Sequence, residues 1–105
     1  MNDKKSFILY FDAMPLFSLL PVEQRGWLIS ALFVYAREVA EEADMTWEEV
    51  AELFPALDEN GRFVMQFMCS AIGRDTKKWR QQREARIRRQ EEKRRKEEGE
   101  SWKYE

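Results

Sequence analysis

The sequence predicts a mostly α-helical fold: a small helical domain with a short N-terminal strand or extended segment and one long C-terminal helix projecting from the body. Three observations carry this reading. Apolar residues recur at helical spacing through residues 21–40 and again from 63 to 79. The only β-rich stretch is "SFILYF", close to the N-terminus. The charged run "RQQREARIRRQEEKRRKEEGE", Arg80 to Glu100, follows the second apolar stretch with no helix breaker before Gly99.

The 105 residues allow one domain with a small core. The formal net charge of −2 conceals an asymmetry. Residues 1–73 carry five Lys/Arg against twelve Asp/Glu, and residues 74–105 carry thirteen against eight, giving −7 and +5. The expected division is an acidic helical body over 1–79 and a net basic helical extension over 80–105, continuous with the last body helix.

The elements follow in order. "SFILYF" is β-branched and aromatic, so it reads as a short strand or extended segment. Asp12 is placed to cap a short helical turn with Pro15 in its first turn. Pro21 opens the strongest body helix, about Pro21 to Ala40. Leu28, Leu32, Tyr35 and Val39 share one stripe there, flanked by Ile29, Phe33 and Ala36. Trp27, Ala31 and Val34 lie on the other side, so the helix is apolar beyond the ~100° stripe of a surface helix. It is either central in the fold or shared with a second chain, which makes those three a candidate oligomer face.

"MTWEEV" carries a capping box, with Thr46 as N-cap, Glu49 at N3, and Met45 and Val50 as a hydrophobic staple. That helix ends before Pro55. Asp58 is placed to cap the last helix, expected over about Glu59 to Glu98 and roughly 60 Å long. Its core residues are expected to be Phe63, Val64, Phe67, Met68, Ala71, Ile72 and Trp79. Beyond them the apolar stripe stops.

The residue inventory excludes several chemistries. There is no histidine and a single cysteine, Cys69, so His-based triads, Cys/His zinc sites and intramolecular disulfides are ruled out. Cys69 within "VMQFMCSAI" reads as a small buried apolar residue. The glycines are scattered and form no phosphate loop. The cluster Glu41, Glu42, Asp44, Glu48, Glu49 and Glu52 lacks the alternating ligands and central glycine of a calcium loop and falls into loop and cap roles. The expectation is no enzyme activity, no cofactor and no metal. "KKSFILYF" is too short an apolar run for a secretion signal or membrane span, so a cytoplasmic location in a bacterial host is expected.

The tail has two readings. Its basic residues point in every direction on a helical wheel. Glu84–Arg88, Glu91–Arg95 and Glu92–Lys96 have the favourable i,i+4 order, worth roughly 0.2–0.5 kcal/mol each, as in a solvated charged helix. Alternatively the excess of +5 meets phosphate or an acidic protein surface. The candidate partner or nucleic-acid contacts are then Lys78, Arg83, Arg86, Arg88, Arg89, Arg94 and Arg95. Trp102 and Tyr104 in "SWKYE" are placed to stack on bases, to anchor in a partner's pocket, or to stand exposed at the chain end.

The segments "KSFILYFD", "LFSLLPVEQRGWLISALFVYA" and "LDENGRFVMQFMCSAIGRDTKKW" resemble a small-protein family of unknown function from phages, prophages and other mobile elements, the DUF6291-like group. The likeness rests on the opening strand, the L-L turn before the helix ending near "ALFVYA", the F-x-x-F-like Phe63 and Phe67, and the R-D-x-x-K-W segment Arg74, Asp75, Lys78 and Trp79. It covers about residues 5–79. This chain departs from the group's Lys/Gly-rich tail, and the resemblance carries no catalytic residues. It implies a small accessory protein of a phage or mobile element. Such a protein is expected to bind a host or phage protein that handles nucleic acid, as an inhibitor of a host defence nuclease of the anti-CRISPR kind would. The alternative is a DNA- or RNA-binding factor in phage replication or gene regulation.

Overall fold

A computed structural model describes residues 4–43 and 45–103, with the backbone alone described for 98–103. Four α-helices follow an irregular N-terminal segment: α1 (Met14–Leu19), α2 (Val22–Ala40), α3 (Trp47–Glu52) and α4 (Glu59–Lys103). Among the described residues there is no strand. Residues 4–10 carry neither helix nor strand, so the expected strand does not form, and Tyr10 at the end of the segment holds an extended backbone.

Asp12 does not cap α1. It sits inside a 3-10 turn, Phe11–Ala13, that leads directly into the helix, and the position before Met14 is Ala13 with helical backbone. Pro15 lies in the first turn, where its missing N–H costs nothing. Arg25 closes the other end of α1. Its guanidinium donates to the carbonyls of Leu20 and Ser18 at 2.8 and 2.7 Å, tying α1 to α2.

α2 and α4 run side by side in the same direction. At their N-terminal ends, Gln24 Nε2 donates to the Ala56 carbonyl at 2.8 Å while its Oε1 accepts the Asp58 N–H at 2.9 Å. At the C-terminal end of α2, Arg80 Nη2 donates to the Val39 carbonyl at 2.6 Å. The crossover between them contains α3, whose capping box forms as the sequence predicts: the Thr46 hydroxyl accepts the Glu49 N–H at 3.2 Å. Asp58 caps α4 by accepting the Gly61 N–H at 2.8 Å, an interaction typically worth ~1 kcal/mol.

The core lies between these elements. α2 contributes Leu28, Ala31, Leu32 and Ala36; α4 contributes Val64, Met65, Met68, Cys69 and Ile72; Val50, Ala51 and Leu57 come from the crossover. Two expectations change here. Ala31 is wholly buried, because α2 is covered on more than one side and a small residue is what fits. On α4, Phe63 and Phe67 are 64% and 46% exposed, and Met65 and Cys69 take the interior. Residues 63–72 contain two overlapping helical stripes, and the packing of α2 selects 64/65/68/69/72. Among the described residues the one buried polar side chain is Thr76, which is satisfied by donating to the Ile72 carbonyl at 2.8 Å.

α4 passes through Gly99 and continues past the expected end at Glu98 to Lys103. Beyond Arg80 no described side chain is buried, and 81–103 extend about 35 Å past the α2–α4 contact. The radius of gyration is 19.8 Å, against ~13 Å for a compact chain of this length.

Two glycines test the packing. A Cβ at Gly61 would lie 2.6 Å from Leu57 Cδ1 and 2.9 Å from Gln24 Oε1, whereas one at Gly26 meets nothing within 4 Å. Urea denaturation should therefore find Gly26→Ala stabilised by roughly 0.5–1 kcal/mol. Gly61→Ala should be destabilised by roughly 1–3 kcal/mol despite the better helix former.

Candidate binding surfaces

The N-terminal segment is held on α4 by Asp75 and Trp79 of the R-D-x-x-K-W segment. The Tyr10 hydroxyl donates to Asp75 Oδ2 at 2.6 Å, an interaction that, with the carboxylate's charge, raises the phenol above its ordinary range. The Trp79 ring has Lys4 Nζ 5.9 Å from its centroid and Arg83 Cζ at 5.7 Å, both within cation–π range. Lys78 stays exposed. Asp75 and Trp79 are therefore anchors for the chain's own N-terminal segment.

That docking leaves an apolar ridge. Ile8 and Tyr10, 57% and 43% exposed, lie around a shallow hollow with Phe67 and Ala71, and Phe63 continues the row one turn along α4. Phe11, at 93% exposure, follows Tyr10 in the same segment. Contiguous exposed apolar surface of this kind is characteristic of interaction sites.

A second feature is the junction where α4 leaves the body. α2 ends in a Schellman motif: the Glu42 N–H bonds to the Val39 carbonyl at 3.1 Å and the Ala43 N–H to the Glu38 carbonyl at 3.0 Å. The residue in the left-handed position is Glu42, with φ 60°, where glycine is usual. Its carboxylate lies 2.9 Å from Arg80 Nε, a charge contact whose N–H direction misses hydrogen-bond alignment. Glu42 thus accepts backbone strain and returns an ion pair across the junction. An open cleft of about 680 Å³ adjoins it, lined in part by Tyr35, Trp47, Glu48 and Arg80.

The third feature is the extension. The three expected pairs, Glu84–Arg88, Glu91–Arg95 and Glu92–Lys96, are not closed to 4.0 Å; among the described residues the ion pairs at that distance are Arg37–Glu41 and Arg80–Glu42. These side chains are long, exposed and separately solvated, so closing them gains little. The basic residues are also less evenly spread than the wheel suggests. Continuing the core-facing side of α4 at about 100° per residue gives Trp79, Gln82, Arg83, Arg86, Ile87, Gln90, Lys93 and Arg94, with no carboxylate until Glu97. Arg88, Arg89 and Arg95 fall outside this arc, among Glu84, Glu91 and Glu92. Only the fold identifies which side of the helix faces the core, so the sequence did not single out this arc.

The residues of the candidate oligomer face differ in accessibility. Ala31 is inaccessible, Val34 is half-buried, and Trp27 is 39% exposed and packs against Phe54 with ring centroids 6.4 Å apart. The Trp102 side chain and Tyr104 lie outside the described residues, as does Asp44.

Among the described residues no group of three or more Cys, Asp or Glu is placed to hold a metal ion. Burial pushes the Cys69 thiol up to about 12. Its contribution to stability is present below the ordinary value of 9.0 and is lost as pH rises toward 12. Among the described residues no helix is long and apolar enough to cross a membrane.

The contacts at the junction set an order of stabilities in urea. Glu42→Gly relieves roughly 1 kcal/mol of left-handed strain and loses an exposed pair worth ~0–1 kcal/mol, so it should be near neutral. Glu42→Ala keeps the strain and loses the pair, so it should be less stable than the glycine variant by about 1 kcal/mol. Arg80→Ala should cost roughly 1.5–3 kcal/mol through the charge-assisted bond to Val39. An alanine variant as stable as the glycine variant would contradict this.

No curated protein and no solved structure matches the chain. A family model, described as a family of unknown function (DUF6291), matches residues 6–101, further into the charged extension than the quoted motifs reach. The matched region takes in the anchored N-terminal segment, the parallel α2–α4 pair and nearly all of the projecting helix. The chain belongs to the DUF6291 family, consistent with the phage and mobile-element association expected of it.

Proposed function

We propose that the protein is a non-enzymatic accessory factor that acts by docking on a protein that handles nucleic acid, in the manner of an inhibitor of a host defence nuclease. The observation that carries this reading is the apolar ridge of Ile8, Tyr10, Phe63 and Phe67, which a single copy of the chain leaves in water. Aromatic side chains at such a position supply binding energy with few rotatable bonds to fix. The charged extension next to it supplies long-range attraction and orientation. An acidic body beside a basic rod is suited to a partner whose own surface carries both signs, as a nucleic-acid channel and its acidic catalytic residues do.

The acid-free arc supports a second reading, in which Arg83, Arg86, Lys93 and Arg94 contact phosphates of DNA or RNA directly.

Capture from bacterial lysate, with and without nuclease treatment, separates the two. Docking on a protein predicts a nuclease-resistant partner, with capture reduced roughly tenfold or more by Phe63→Ser with Phe67→Ser. It further predicts that expression of the protein restores plaque formation on a CRISPR-immune host. Direct nucleic-acid binding predicts nuclease-sensitive capture and a steep salt dependence that flattens in Arg83→Gln with Arg86→Gln and Arg94→Gln. Capture of neither kind contradicts both.

A further inference from the structure

Residues 5–9 have the composition of a strand and no strand beside them. Among the described residues, none of their backbone groups bonds to another backbone group; the Ser6 carbonyl accepts from the Lys4 ammonium. Phe7, Ile8 and Leu9 thus offer backbone groups that no other described backbone group takes up, to which a second chain can add by main-chain hydrogen bonding as at a sheet edge.

Beside this edge, against the C-terminal half of α2, runs a groove of about 760 Å³. Its floor includes Leu9, Phe33 and Val34, and its rim carries Lys4, Lys5 and Arg37. The rim is selective in charge. Residues 1–73 hold five Lys/Arg in a segment of net −7, and three of those five border this one groove. Glu41, at one end, is 3.5 Å from Arg37.

We propose that this groove binds an extended acidic segment of a partner protein, which pairs as a strand with residues 5–9. The proposal rests on the protein-docking reading above and names the chemistry of the segment recognised. Alternation along an added strand turns apolar side chains onto Phe33 and Leu9 and sends carboxylates to the other face, toward the rim at Lys4 and Arg37. Single-stranded nucleic acid fits less well. The Phe33 ring is already met by Phe7 in a T-shaped contact at 5.2 Å, the rest of the floor is largely aliphatic, and stacking would leave the open backbone unused.

The test is fluorescence anisotropy of the full chain with labelled ten-residue peptides alternating Glu-Val, Lys-Val or Glu-Ser, and with labelled oligothymidylate. The Glu-Val peptide should saturate and bind most tightly. Lys5→Glu and Phe33→Ser should each weaken it about tenfold or more with the thermal melt of Lys5→Glu unchanged, and the Phe7 and Leu9 amides should gain hydrogen-exchange protection. No saturation below about 1 mM, equal binding of the three peptides, unprotected amides, or tighter binding of oligothymidylate would each overturn the proposal. Lysate capture that depends on Phe63 and Phe67 while the Glu-Val peptide fails would overturn this proposal alone. Absence of both would overturn the docking reading beneath it.

Discussion

Everything in this fold depends on the parallel packing of α2 against the first half of α4. Leu28, Leu32 and Ala36 join a stripe of Val64, Met65, Met68, Cys69 and Ile72 in one core, with the wholly buried Ala31 among them. Two helices consecutive in a small chain usually return antiparallel through a short loop. Here the crossover through α3 carries the chain back to the starting end, with Gln24 fixing its last turn on both sides. The consequence is directional. α4 runs out of partner at Arg80, at the same end where α2 stops, and the rest of it emerges into water.

The exit point is reinforced by charge. Arg80 is a second donor, beside the Glu42 N–H, to the Val39 carbonyl at the C-terminus of α2, where helix-dipole and hydrogen-bond terms act together, and it reaches Glu42 in a strained backbone position. A glycine at residue 42 would satisfy the Schellman motif with less strain and would offer Arg80 nothing. The side chain's presence there couples the end of one helix to the direction of the other. The N-terminal segment is secured on α4 by the same kind of contact, through Asp75 and Trp79. The body therefore presents its apolar ridge, its basic-rimmed groove and its charged rod in fixed relation.

Much of this was legible in the residues. Caps at Thr46 and Asp58, the span of α2 and the unbroken course of α4 follow from local chemistry, which acts over a few residues and leaves a direct mark. The exposure of Phe63 and Phe67 was not legible, because two helical stripes overlap at residues 63–72 and the choice between them belongs to a partner helix distant in sequence. The same applies to Ala31, which reads as the edge of an apolar helix until its neighbours are known. Asp12 shows the limit in the other direction: its capping chemistry was present, and a 3-10 turn displaced the helix start past it. The acid-free side of the extension needed the core direction of α4 as its reference, and the basic-rimmed groove needed Lys5 and Arg37 brought together across 32 positions of sequence.

One helix serves both as core element and as a self-supporting rod that begins at Arg80. Backbone carbon chemical shifts combined with site-resolved hydrogen exchange test it most directly. Helical shifts are expected from residue 59 through at least 97, with strong amide protection over 64–76 and weak protection beyond 84, where the side chains stand in water. Random-coil shifts beyond residue 80, or protection there as strong as in the core, would contradict it.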